Sequence, residues 1–107
     1  MPFANHYERD IHFQKHRHEF QAQDADEYER MADAFMSARR SPDIMQCFRR
    51  GGEDQVRLSY STRYFGVARI SPEPGYIKTF HIVDEQKIRR HGDIFQYFRF
   101  ECNRVDV

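Results

Sequence analysis

Two histidines four residues apart, His12 and His16, sit in the run His12-Phe13-Gln14-Lys15-His16-Arg17-His18-Glu19-Phe20. On a helix that spacing puts both imidazoles on one face, with Lys15 beside them and Glu19 one turn on. Imidazole changes charge near neutral pH, so two of them with an ammonium group form a general acid-base set. Two plainer uses compete. The histidines can be polar surface groups on a solvated helix. They can also share a zinc ion, with Glu19 the one obvious third ligand nearby. The His-Glu-x-x-His pattern of zinc hydrolases is absent, and no metal is assigned.

The elements that position these groups follow from the apolar pattern. Residues 6–20 are predicted as a first helix anchored by Tyr7, Ile11, Phe13 and Phe20. Asp24 is an N-cap, and Glu27 three residues on completes a capping-box pattern. Tyr28, Met31, Ala32, Phe35 and Met36 then mark one face of a helix over 25–38, with both methionines as core fillers. Ser41-Pro42 ends it. Strands are expected at Ile44–Arg50, Gln55–Ser61, Tyr64–Ile70 and Tyr76–Val83. The breaks between them include Gly51-Gly52 and the turn Ser71-Pro-Glu-Pro-Gly75. Past Gly92, the positions Ile94, Phe95, Phe98, Cys102 and Val105 suggest a short closing helix. The expected class is α+β: N-terminal helices packed on a four-stranded antiparallel sheet, with a short C-terminal helix. In that arrangement the far face of the sheet is open to a ligand. Four-stranded sheets with one open face are common hosts for RNA.

The strands add candidate partners for the histidines. Thr79 and His81 share one face of the last strand, and Lys78 takes the other. Arg57 lies on the polar face of the second strand, and Arg69 sits within the third. Strand geometry assigns Arg57 and Tyr60 to substrate binding, with Arg69 and His81 beside them. A cationic face next to a histidine helix suits phosphoryl chemistry. Cleavage of RNA without a metal needs a base for the ribose 2′-OH, an acid for the leaving 5′ oxygen, and cations or hydroxyls for the crowded phosphate. His, Lys, Arg, Thr and Tyr supply that set. The product would be a 2′,3′-cyclic phosphate, and DNA should resist. No acyl-transfer motif, P-loop or dinucleotide fingerprint is present, so no cofactor is expected.

The 107 residues amount to about one domain, read as 1–107 without internal division. The composition is polar, but ten Phe and six Tyr provide large buried areas from few positions. Net charge is zero, and the halves differ: residues 1–38 carry four basic and eight acidic groups, the rest thirteen and nine. Fourteen of the seventeen basic residues are Arg, the side chain best shaped for bidentate phosphate contact. Cys47 and Cys102 fit no metal spacing. They are read as buried thiols of a reducing compartment, with a single disulfide as the other option. The N-terminus has no apolar run of the signal-peptide kind, and no stretch is long and apolar enough for a membrane span. A cytosolic site of action and no membrane partner are expected.

Four pieces in order carry a resemblance. They are His12-Phe13-x-Lys15-His16 with Glu19-Phe20, the helix Tyr28-x-x-x-Ala32-x-x-Phe35, the strands Tyr64-Phe65-Gly66-Val67 and Tyr76-Ile77-Lys78-Thr79-Phe80, and Tyr97-Phe98 with Cys102. With these, the chain resembles small nucleases of the barnase-EndoU-colicin-RelE superfamily, especially RNase and tRNase toxin domains of polymorphic and phage-associated bacterial systems. The resemblance implies a metal-independent endoribonuclease. It implies that His16 and Thr79 line the active site, with His12 and Lys15 flanking. It implies RNA, with tRNA the first choice, as substrate, and an acidic immunity or antitoxin protein as partner. The chain departs from the pattern of that superfamily in having Arg17 where Gly often follows the second histidine, and in not being net basic. The competing expectation is a non-catalytic module of the same fold that binds protein or RNA.

Overall fold

In the computed structural model, which describes residues 1–104, helix α1 spans His6–Phe20. The Asn5 side chain caps it by accepting the Glu8 N–H at 2.8 Å. Gln21 ends it in a left-handed conformation. Asp24 caps α2, Ala25–Ser37, by accepting the Glu27 N–H at 2.8 Å. Glu27 in turn accepts the Gln23 N–H at 3.1 Å, so the capping pair forms. The buried face of α1 is Phe13, His16 and Phe20. Tyr7 and Ile11, expected as anchors, are exposed at 72% and 43%. The i, i+3, i+7 row through Phe13 includes a histidine, and that imidazole takes the inner position an apolar residue was expected to fill.

Strands β1 (Ile44–Arg49), β2 (Asp54–Ser59), β3 (Tyr64–Arg69) and β4 (Tyr76–Ile82) form an antiparallel meander in the order β1-β2-β3-β4. A 3₁₀ turn, Arg50–Gly52, joins the first two, with Gly51 and Gly52 both at positive φ. The register pairs Cys47 with Val56, Val56 with Val67 and Val67 with Thr79. It shifts between Val67 and Ala68, which pairs with Ile77 and leaves Lys78 as an extra residue. This bulge turns Lys78 toward Asp54, at 2.9 Å, on the Thr79 side of the sheet. The expectation that Lys78 faces away from Thr79 and His81 is therefore corrected. Strict alternation fails where a strand carries one residue more than its partner.

One face of the sheet packs on α1 and α2. Phe80 is its centre: fully buried, stacked on Phe20 at 4.3 Å, with Tyr28, Phe35 and Tyr64 within 5.8 Å. Tyr28, also fully buried, donates its hydroxyl to the Phe80 carbonyl. Each such burial contributes about 1.5–3 kcal/mol. The outer edge of β4 is closed by the N-terminal segment and α1. Ile77 donates its N–H to the Pro2 carbonyl at 2.8 Å, and Ile82 donates to Glu19 Oε1 at 2.7 Å.

The other face is not open. Val56, Leu58, Phe65 and Val67 pack against Val83, Ile88, Ile94 and Tyr97. The last three belong to α3 (Glu85–Arg90) and α4 (Ile94–Cys102), capped by Asp84 and Asp93. Helix α3 has no counterpart in the expected element order. The apolar residues of the strands alternate onto both faces, and two faces with Val, Leu and Phe need two covers. Val105, expected to prolong the last helix, lies outside the described residues.

Cys47 and Cys102 form a disulfide that ties α4 to β1. The reading as two free buried thiols is corrected. Register brings Cys47 onto the face that α4 covers, a proximity that chain spacing does not show. Beside the bridge, the buried Arg49 and Glu101 make a second tie at 3.0 Å. Among the described residues, no helix is long and apolar enough to cross a membrane.

Candidate active site

Helix α4 leaves the β4 side of its sheet face uncovered. The gap is a cleft of about 500 Å³. Its floor is Phe65, Val67, Thr79 and His81, successive residues of one face of β3 and β4. One wall carries Lys87, Arg90 and His91 from α3 and its end. The other carries Tyr97, Phe100, Glu101 and Arg104, with Arg49 behind them. Among the described residues, four cationic groups thus surround a single carboxylate, Glu101. Arg49 and Arg104 both bond to that carboxylate at 3.0 Å. Lys87 and Arg90 are exposed and have no ion-pair partner among the described residues. The cleft therefore has a positive potential that suits an anion.

Behind the floor runs a column of rings. Phe65 lies 5.2 Å from His81, His81 stacks on His16 at 5.2 Å, His16 on His12 at 6.3 Å, and His12 on Phe3 at 5.3 Å. Glu19 fixes the column. Its Oε2 lies 2.6 Å from His16 Nδ1, while Oε1 holds the β4 backbone at Ile82. A carboxylate accepts, so His16 Nδ1 donates, and one carboxylate locks both the ring and the strand. Glu19 is thereby occupied by protein groups, and among the described residues no three His, Cys, Asp or Glu are grouped to hold a metal. The zinc option for His12, His16 and Glu19 gains nothing from this geometry.

Burial holds His81 below the usual histidine range. The Ile82 carbonyl and Glu19 pull it up, and His16 and Lys87 push it down. Burial also depresses His12, with His16 and Lys15 adding to the effect and Glu8 opposing it. His12 Nδ1 is shut from solvent with no hydrogen-bond partner among the described residues, as suits a neutral ring. Burial pushes the Tyr97 hydroxyl up to about 12, so it remains a donor at neutral pH. A stability prediction follows. A histidine depressed in the folded chain binds its proton more readily when unfolded. Its contribution is complete above the unfolded value of 6.5 and is lost as pH falls toward the folded value. Urea midpoints should therefore decline from pH 7 to pH 5, and His12→Phe should flatten that decline. An unchanged slope in the variant would refute the role of His12.

The expected site residues divide. Thr79 and His81 are on the cleft floor, with His16 and His12 behind them. Lys15 sits on the outer side of α1, in a shallow hollow with Tyr7 and Ile11, away from the cleft. Tyr60 packs on Phe95 at 5.6 Å, at the other end of the sheet face. Arg69 bonds to Glu53 at 3.1 Å near the turn end of β3. Arg57 is corrected most. It is buried, on the α2 side of the sheet, and donates to the carbonyls of Phe35 at 3.1 Å and Ala38 at 2.6 Å. Its guanidinium closes the end of α2, where orphan carbonyls need donors. Arg57→Ala should cost about 1–3 kcal/mol in urea unfolding, because it leaves those carbonyls unsatisfied. A variant as stable as the parent would exclude that role.

The residues missed in the sequence are Lys87, Arg90, His91, Tyr97 and Phe100. The run Lys87-Ile-Arg-Arg-His91 after Asp84 was the available signal: a capped basic turn ending in an imidazole. No family model, curated protein or solved structure matches the chain.

Proposed function

We propose that the protein is a metal-independent endoribonuclease of the toxin type that cleaves RNA, tRNA first among its substrates, in the cleft over β4. The observation that carries the reading is the meeting of two imidazoles, His81 and His91, with Thr79 and the cations Lys87 and Arg90 in one cleft. His81, kept neutral by burial, is the base that takes the ribose 2′-OH proton. The 2′ oxygen attacks the phosphorus, and the bond to the 5′ oxygen breaks. His91 gives a proton to that oxygen. Lys87 and Arg90 hold the pentacoordinate phosphate, and the Thr79 hydroxyl donates to it. The product is a 2′,3′-cyclic phosphate.

His16 becomes a positioning residue. Oriented by Glu19, it stacks on His81 from behind. The resemblance to the barnase-EndoU-colicin-RelE superfamily supports the same chemistry. An acidic immunity or antitoxin protein that covers the cleft fits its charge, and the cytosol is the proposed place of action.

The test is incubation of the purified protein in EDTA with total tRNA and with DNA of matched length. RNA should be cut to cyclic phosphate ends and DNA should survive. Intact RNA at high protein concentration, or equal cutting of DNA, would overturn the reading and leave a binding module.

A further inference from the structure

The cleft does not end at its α4 wall. His91 and Phe100 lie 4.5 Å apart, tilted by 31°, and form a ridge. Beyond that ridge is a second hollow of about 540 Å³ that shares both rings. Its remaining lining includes Phe95, Gln96, Arg99 and Asn103. Phe95 and Phe100 are exposed at 58% and 41%. Arg99 is exposed and has no ion-pair partner among the described residues. The acidic group of the hollow, Asp93, is held at the helix start by the Gln96 N–H at 2.9 Å. Among the described residues the hollow thus offers two partly exposed aromatic rings, Phe95 beside Tyr60 and Phe100 beside His91 and Arg104, with two amides and one available cation. That set matches a nucleotide: a base to stack, an edge to hydrogen-bond, a phosphate to pair.

We propose that this hollow is a second nucleotide subsite, which takes the unpaired nucleotide that follows the leaving nucleoside on its 3′ side. The proposal rests on the ribonuclease reading for its polarity. His91, on the ridge, protonates the leaving 5′ oxygen, so the leaving strand must run over His91 and away from His81. The base after the leaving nucleoside then meets Phe100 and Phe95, and the phosphate that joins the two meets Arg99. Stacking between protein rings requires a base outside a duplex, so the substrate class is single-stranded RNA or a loop.

The test compares a dinucleoside monophosphate with the same substrate extended by one nucleotide, on the 3′ side or on the 5′ side. In the parent, the 3′ extension should raise kcat/KM about tenfold, the gain of one stacked base, and the 5′ extension should not. The variant Phe95→Ala/Arg99→Ala should lose that gain and still cleave the dinucleotide as the parent does. An abasic 3′ nucleotide should restore only the phosphate share of the gain. An equal gain in the variant, or a gain from the 5′ extension alone, would overturn the proposal. If the parent cleaves none of these substrates, the ribonuclease reading fails by itself. Anisotropy with labelled oligonucleotides then decides the subsite. Binding that the double variant weakens about tenfold keeps it as a single-strand site. Equal binding by both, or none, removes it.

Discussion

His81→Gln is expected to lower the rate of RNA cleavage by about 10²–10⁴-fold, the range for loss of a general base. Glutamine fills a similar volume, so the ring column loses its chemistry before its packing. His81 is the imidazole that both lines the cleft and is kept neutral by burial at neutral pH. His16 shares the column but not the cleft lining, so His16→Ala should cost less. Glu19→Gln separates the two roles further. It removes the charge that holds the His16 ring and should shift the pH profile of cleavage more than the KM. Single-turnover rates at several pH values measure all three. A His81→Gln enzyme within threefold of the parent would move the chemistry elsewhere in the cleft. A larger loss at His16 than at His81 would return it to α1.

Reduction of the Cys47–Cys102 bond is expected to destabilise the chain by about 4 kcal/mol. The bridge closes a loop with a sequence separation of 55, and loop-closure entropy for that length gives this magnitude. Against the usual 5–15 kcal/mol of a small domain, that is a large share. The melting temperature should fall by on the order of 15 °C. The consequence reaches the site through α4, which brings Tyr97, Phe100 and Glu101 to the cleft wall. With the bridge open, the Arg49–Glu101 pair is the main remaining polar tie of that wall to β1. Cleavage should therefore weaken in reductant. Melting curves with and without a phosphine reductant, with thiol titration to confirm opening, measure the effect. The control Cys47→Ala/Cys102→Ala should not respond to reductant. An unchanged melting curve after full opening would show that packing alone seats α4. Disulfides persist in oxidising compartments, so action in a reducing cytosol would expose the bridge to opening there.

Much of the fold was legible because it depends on local patterns. The capped helix with Tyr28, Ala32 and Phe35 on one face, the alternation of Val56 and Leu58, and the Gly51-Gly52 turn each state their structure within a few residues. Helix α3 escaped because its six residues include only one buried side chain, Ile88, too few to show a period. The site was half legible. Thr79 and His81 could be placed on one face from strand parity alone, whereas Lys78 could not, since a bulge is decided by the partner strand. Arg57 was misread because composition marks an arginine as cationic but does not show which carbonyls it meets.

The sequence by itself determined helices α1, α2 and α4, the four strand segments, the antiparallel meander and the presence of an imidazole-rich segment, because each follows from the spacing of side chains along one element. Tertiary structure alone decided which imidazole lines the cleft. It placed His16 inside and His81 at the cleft because α1 lies along the edge of β4, where Glu19 satisfies the Ile82 N–H. It also closed the second face of the sheet, because apolar groups on both faces must leave water, and the cleft is what α3 and α4 leave uncovered.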